Sequence, residues 1–222
     1  MDIYDYDVVV VGGGPGGYVA AITSAQLGMN VLCIEKCGSE VEPILGGTCL
    51  NVGCIPSKAL LDTSYHFKNA SSNFLNHGIE LDNLEMNIRS MMVRKDKIVS
   101  GLTSGVAGLF KLNKVNSLKG EAEVQDSNKV LVHSDEGDVR EVFGNKIIIA
   151  TGSRPIDLAG FNVDQELIAN STGALNFKEV PENLGVIGAG AIGLELGSVW
   201  SRLGSNVVVL EALEEFLPMA DT

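Results

Sequence analysis

Two short stretches of this 222-residue chain repeat each other, and the repeat restricts the fold more than any other feature. In the first, Asp7-Val8-Val9-Val10-Val11 leads into Gly12-Gly13-Gly14-Pro15-Gly16-Gly17, and Glu35 follows 23 residues after Gly12. In the second, Gly185-Val186-Ile187 leads into Gly188, Gly190 and Gly193, and Glu211 again follows 23 residues after the first glycine. Gly28 and Gly204 recur too, each 16 residues after the first glycine of its motif. One glycine-rich turn occurs for packing reasons alone; two with the same internal spacing are poorly explained by chance. A β-branched run such as 8–11 suits a strand buried on both faces of a parallel sheet. Each stretch therefore reads as a βαβ opening. The first has a helix reaching about 27 and a second strand at 31–34; the second has a helix to about 203 and a strand at 206–210.

Such an opening has the physical chemistry of a dinucleotide site. Its first glycine permits the tight turn, its second lets pyrophosphate approach the backbone, and its third lets helix and strand pack closely. Phosphates then meet free N–H groups at a helix N-terminus, where the dipole favours negative charge. This assigns Gly12, Gly14 and Gly17 to one site and Gly188, Gly190 and Gly193 to another. Glu35 and Glu211 stand where an acidic residue accepts hydrogen bonds from a ribose diol; the plain alternative for each is a solvated carboxylate at a strand end. A carboxylate at 211 would repel a 2′-phosphate, so the second site is expected to take NAD over NADP.

Between the openings, 57–70 and 86–112 read as helices, the second with apolar residues every three or four positions. Met91 and Met92 are expected to fill core. The period then changes to short strands at 117–125, 129–134, 139–143 and 146–150, with a turn at 135–138. The strand ending in Ala150-Thr151-Gly152 breaks at Pro155, a plausible domain exit. The expected fold is α/β, with two Rossmann-like dinucleotide-binding units and a β-meander insertion. Its boundaries are 1–152 for the first domain, and 153–222 for a linker with the start of a second.

Composition removes other classes. A net charge of −12 argues against nucleic acid, which needs a basic face. No apolar run approaches the ~18 residues of a membrane span. Residues 1–7 hold three aspartates and no basic residue, unlike a targeting peptide. The expected compartment is the bacterial cytoplasm, or the mitochondrial matrix if a presequence has been removed.

Four cysteines, at 33, 37, 49 and 54, are too few for a secreted disulfide framework. Cys33 sits in an apolar strand and is expected to be buried; Cys37 reads as a bystander in the following loop. Cys49 and Cys54 lie in Gly46-Gly47-Thr48-Cys49-Leu50-Asn51-Val52-Gly53-Cys54-Ile55-Pro56-Ser57-Lys58-Ala59-Leu60-Leu61. Five positions apart, they would not reach each other along a regular helix, so Gly53 and a local distortion matter. A thiol near a helix N-terminus has a lowered pKa and raised reactivity. Zinc would need two further ligands, and neither Cys-x-x-Cys nor a paired histidine is present, so no metal site is expected. Two inert buried thiols are the remaining alternative.

This run resembles the active-site signature of the pyridine nucleotide–disulfide oxidoreductases. The likeness extends over the whole chain, through both glycine motifs and the exit at 150–152, and its wording is most similar to the branch that oxidises dihydrolipoamide. The resemblance implies FAD in the first site and NAD in the second. It implies a redox-active Cys49–Cys54 disulfide, with Cys49 as the interchange thiol and Cys54 facing the flavin. It implies that Lys58 lies beside the flavin and pairs with Glu195; a cation there steadies the negative charge of reduced flavin. The plain alternatives are a solvated lysine and an unpaired carboxylate, the latter costly in an apolar helix. Lys36, Gly47, Thr48, Ala122, Thr151 and Gly152 are its further implied cofactor contacts.

The implied activity is oxidation of dihydrolipoamide by NAD, with the lipoyl domain of a 2-oxoacid dehydrogenase complex as partner and a homodimer as the assembly. Mercuric and glutathione reductases are the neighbouring alternatives. Two departures stand out. The loop 36–45 looks longer than usual, and the family's chains are about twice this length. A C-terminal dimerisation domain with its His–Glu acid–base pair is therefore expected outside these residues, with 222 falling in mid-domain. No catalytic role is expected of His66, His77 or His133. A non-catalytic cofactor-binding fragment is the alternative for these 222 residues alone.

Overall fold

The computed structural model describes residues 4–39, 42–156, 158–214 and 217. In chain order the elements are β1 (Tyr6–Val11), α1 (Pro15–Gln26), β2 (Val31–Glu35), α2 (Gly47–Val52), α3 (Cys54–Ser72) and α4 (Ile88–Leu112). There follow β3 (Asn116–Lys119), β4 (Glu121–Val124), β5 (Lys129–His133), β6 (Val139–Ile149), α5 (Ser171–Ala174), β7 (Asn183–Ile187), α6 (Ala191–Leu203) and β8 (Asn206–Leu210). They form two compact units. Met1–Asn51 belongs with Val99–Arg154, and Val52–Ile98 with Pro155–Thr222.

The first unit is built on a six-stranded sheet in the order β3-β2-β1-β6-β5-β4. Strands β3, β2, β1 and β6 run parallel, with Val9 facing Leu32 on one side and Ile147 on the other. β1 and β2 are here the buried centre: the β-branched Val9, Val10 and Val31, and Cys33 beside them, have no exposed surface. Burying each such valine contributes roughly 1.5–3 kcal/mol. Val9, Leu32 and Ile34 then meet Val130, Val132 and Val142, which joins the meander to the parallel sheet through one core.

The meander differs in detail from its sequence pattern. The run 117–125 is two strands, because Gly120 turns at φ +158° and donates its N–H to the Glu35 carbonyl. On the N-terminal side of that corner β3 lies parallel to β2, and on the C-terminal side β4 lies antiparallel to β5. Conversely, 139–149 is one strand rather than two. Its first half pairs antiparallel with β5 and its second half parallel with β1. The strand passes from one partner to the other at Gly144, where a Cβ would lie 2.6 Å from Val9.

The second unit is mainly helical. Leu60 of α3, Met91 of α4, Leu175, and Leu196, Val199, Trp200 and Leu203 of α6 form its core. Trp200 has no exposed surface and donates its indole N–H to the Ala174 carbonyl. Met91 is buried with them, as core filling requires. β7 and β8 make a parallel pair in register from Asn183–Asn206 to Ile187–Leu210. Thus the segment 52–98 packs with the residues after 155. Short α2, α5 and a 3-10 turn at Phe74–His77 carry no periodicity long enough to show in the sequence.

Candidate functional site

The glycine turns follow from backbone geometry. Gly12 sits at φ +106°, and a Cβ there would lie 2.1 Å from the Ala150 carbonyl oxygen at the end of β6. At Gly17 a Cβ would lie 1.7 Å from the Gly12 carbonyl, so only glycine lets α1 start this close to β1. The second turn repeats both constraints: Gly188 is at φ +100°, and a Cβ on Gly193 would reach within 2.2 Å of the Gly188 carbonyl. The middle glycines behave differently. A Cβ on Gly14 would meet only Gly47 Cα, at 3.6 Å, and one on Gly190 would meet nothing within 4 Å. The third glycine of each turn and Gly12 satisfy close packing, and Gly188 a positive φ in open space, while the second glycine leaves room at a helix N-terminus, where a pyrophosphate can approach free N–H groups. Both turns fit a dinucleotide.

Glu35 and Glu211 occupy equivalent places. Glu35 is buried; its Oε2 accepts from the Gly13 N–H at 2.6 Å and its Oε1 from the Cys37 N–H at 2.8 Å. Glu211 Oε2 accepts from the Ala189 N–H at 2.7 Å, and Oε1 from the N–H groups of Ala212 and Leu213. The backbone donors of Leu213, then Ala189, hold its carboxyl below the usual range. Each carboxylate therefore ties its own glycine turn to its own second strand, a role that spacing alone does not suggest.

Around the first turn, Gly47 lies backbone to backbone with Gly14, and Thr48 donates its hydroxyl to the Ser153 carbonyl at 3.1 Å. Thr151 and Gly152 are exposed beyond β6, with Thr151 Cα beside Gly12. Lys36 pairs with Glu121 at 2.7 Å, both exposed, which raises the lysine's pKa and lowers the glutamate's through their hydrogen bond. Ala122 is half-buried in β4, opposite Val132. Cys33 donates to the Gly12 carbonyl at 3.6 Å, and burial pushes its thiol up to about 12, so it stays protonated at neutral pH. Cys37 is exposed, and its pKa is raised by partial desolvation and then by Glu35. These two are the free cysteines.

Cys49 and Cys54 form a disulfide. Cys49 lies in α2, which ends at Val52; Gly53, at φ −142° and ψ −112°, interrupts the helix, and α3 begins at Cys54. A continuous helix would hold residues five apart out of reach, and the break removes that obstacle. Cys54 is the first residue of a 19-residue helix, whose dipole stabilises a thiolate there. Four positions on, Lys58 Nζ meets Glu195 Oε1 of α6 at 2.5 Å. Ser57 Oγ lies 3.1 Å from the Cys54 carbonyl and 3.3 Å from Glu195 Oε2. Among the described residues no group of three or more His, Cys, Asp or Glu could hold a metal ion.

Three polar residues of this region have no role in the sequence reading, although two of them lie inside the cysteine run. Ser57 is one; Asn51 and Thr103 are the others. Asn51 donates to the carbonyls of Leu45 and Gly47 and accepts from Thr103 on α4. A serine or asparagine has no spacing signature, and Thr103 is 52 residues away in sequence.

The profile of the pyridine nucleotide-disulphide oxidoreductases matches residues 6–222, and the chain belongs to that family. Membership supports FAD as a cofactor of this oxidoreductase. Similar curated proteins include the mitochondrial dihydrolipoyl dehydrogenase of Pisum sativum, 53% identical over 97% of this chain and 42% of its own length. Dihydrolipoyl dehydrogenase 3 of Pseudomonas putida is 50% identical, over 98% of this chain and 46% of its own. A leghemoglobin reductase of Vigna unguiculata is 54% identical, over 97% and 40%. Among solved structures, the HOCl-induced flavoprotein disulfide reductase of Escherichia coli superposes with a TM-score of 0.80 at 30% identity, covering 98% of this chain and 44% of that one. The chain thus spans less than half the length of these relatives. No helix among the described residues is long and apolar enough to cross a membrane.

Proposed function

We propose that this chain is the FAD-binding, disulfide-bearing part of a dihydrolipoyl dehydrogenase, with the beginning of its NAD site. The observation that carries the reading is the Cys49–Cys54 disulfide at the start of α3, in a chain about half identical to relatives that bear that name. In the proposed reaction one thiolate of a dihydrolipoyl group attacks Cys49 Sγ. The Cys49–Cys54 bond breaks, a mixed disulfide forms, and Cys54 leaves as a thiolate held by the α3 N-terminus. The second lipoyl thiol then displaces Cys49, closing the lipoyl disulfide and leaving a cysteine dithiol that has gained two electrons. Bound FAD would take up those electrons and hand them on to NAD as hydride equivalents.

The chain's own residues supply the rest. Gly12, Gly14, Gly17, Glu35, Lys36, Gly47, Thr48, Ala122, Thr151 and Gly152 are the proposed FAD contacts, and Gly188, Gly190, Gly193 and Glu211 those for NAD. Lys58 would stand beside the flavin. An exposed ion pair such as Lys58–Glu195 contributes only about 0–1 kcal/mol to stability, so its proposed value is in orienting the cation. The proposed partner is a lipoyl domain of a 2-oxoacid dehydrogenase complex, and the proposed assembly a homodimer, in the bacterial cytoplasm or mitochondrial matrix.

A cofactor-binding fragment without turnover is the second reading: the chain spans less than half the length of these relatives, and no catalytic role is assigned to His66, His77 or His133. The test uses the purified chain supplied with FAD. Anaerobic dihydrolipoamide is expected to convert Cys49–Cys54 to two alkylatable thiols and release lipoamide. It should do so far faster than an equal concentration of glutathione; equal rates would refute the lipoyl assignment. Steady NADH-dependent lipoamide reduction would overturn the fragment reading, and equal use of NADPH would overturn the NAD assignment.

A further inference from the structure

We infer that Asn51 and Thr103 form a positioning clamp that sets the thiol–disulfide equilibrium of Cys49 and Cys54. Asn51 lies between the two cysteines in sequence and uses its whole carboxamide. Its Nδ2 donates to the Leu45 carbonyl at 3.2 Å and the Gly47 carbonyl at 3.1 Å, while its Oδ1 accepts from Thr103 Oγ1 at 3.1 Å. Two carbonyl acceptors and one hydroxyl donor leave a single consistent orientation of the amide.

The helix it holds needs an anchor. α2 has six residues, too short to be stable alone, and enters through Gly46 and Gly47 at φ +113° and +59°. Thr103 belongs to the 25-residue α4, so its hydroxyl ties the short cysteine-bearing helix to a long one. With the tie broken, α2 has more freedom after reduction, and the Cys49 sulfur spends less time where it can re-form the bond. The effective concentration of one thiol at the other falls, which favours the dithiol.

The inference rests on the redox role of the disulfide and not on the identity of substrate or second cofactor. Its test therefore uses neither. The purified chain is equilibrated with glutathione buffers: two glutathione thiols give up two electrons and two protons, yielding two cysteine thiols and glutathione disulfide. The reduced fraction is read by alkylation and intact mass. Thr103→Val removes the hydroxyl at nearly constant volume. It is expected to shift the equilibrium threefold to tenfold toward the dithiol, as loss of one hydrogen bond allows; tenfold corresponds to about 30 mV. Thr103→Ser keeps the hydroxyl and is expected to stay within twofold of the parent chain. An unshifted Thr103→Val, or equal shifts in both variants, would overturn the clamp. Should Thr103→Val fail to fold, Thr103→Ala removes the same hydroxyl and is held to the same outcomes. A purely structural threonine would lower the melting temperature without moving the equilibrium.

Discussion

Glu211 joins a local hydrogen-bond pattern to a testable electrostatic property. Its two oxygens accept three backbone N–H groups, and these, Leu213 first, favour the ionised form. A carboxyl whose native pKa is depressed contributes stability that is present above its unfolded value and lost as pH falls through its native value. We predict that the Ala189 amide signal titrates with a midpoint below 4.5, the ordinary value for this group. A midpoint at or above 4.5 would mean that the tie between β8 and its glycine turn does not form. Cys33, Cys37, Cys49 and Cys54 show how little residue type says by itself. One thiol is sealed beneath a glycine turn, one lies at the surface, and two are joined.

At the scale of elements, the decisive contact is between a glycine-turn helix and the strand before it. Gly17→Ala would drive a methyl group into the Gly12 carbonyl, an overlap that no rotamer relieves. We predict a loss of about 4 kcal/mol or more, or failure to fold, measured by urea unfolding followed by circular dichroism. Ala substitution at Gly16, whose nearest neighbour to an added Cβ is the Ala150 side chain at 3.9 Å, is expected to cost far less. Equal losses at the two positions would remove the steric explanation. These helices are legible in the sequence because the residues that define each turn lie close together along the chain. The β3–β4 break and the unbroken β6 are not. Gly120 and Gly144 look alike in sequence, and only the strands beside them make one a corner and the other a crossing point.

At the scale of the whole molecule, Trp200 holds the helical core of the second unit. Trp200→Ala would empty a fully buried site between α6 and its neighbours and orphan the Ala174 carbonyl, for a loss of about 3–5 kcal/mol by chemical denaturation. A loss under about 1 kcal/mol would show that this core is not what holds the unit. The sequence by itself determined the duplicated turns, an acidic residue 23 positions after each first glycine and the α/β class, because these are local periodicities or fixed spacings; the Cys49–Cys54 disulfide was implied by family resemblance and not by spacing. Tertiary structure decided the rest. It joined Thr103 to Asn51 across 52 residues, and it brings together across 137 residues the Lys58–Glu195 pair that the resemblance implies. It also placed 52–98 in a unit with the residues after 155. A polar side chain's partner depends on where packing brings distant helices together, and no spacing along the chain encodes that.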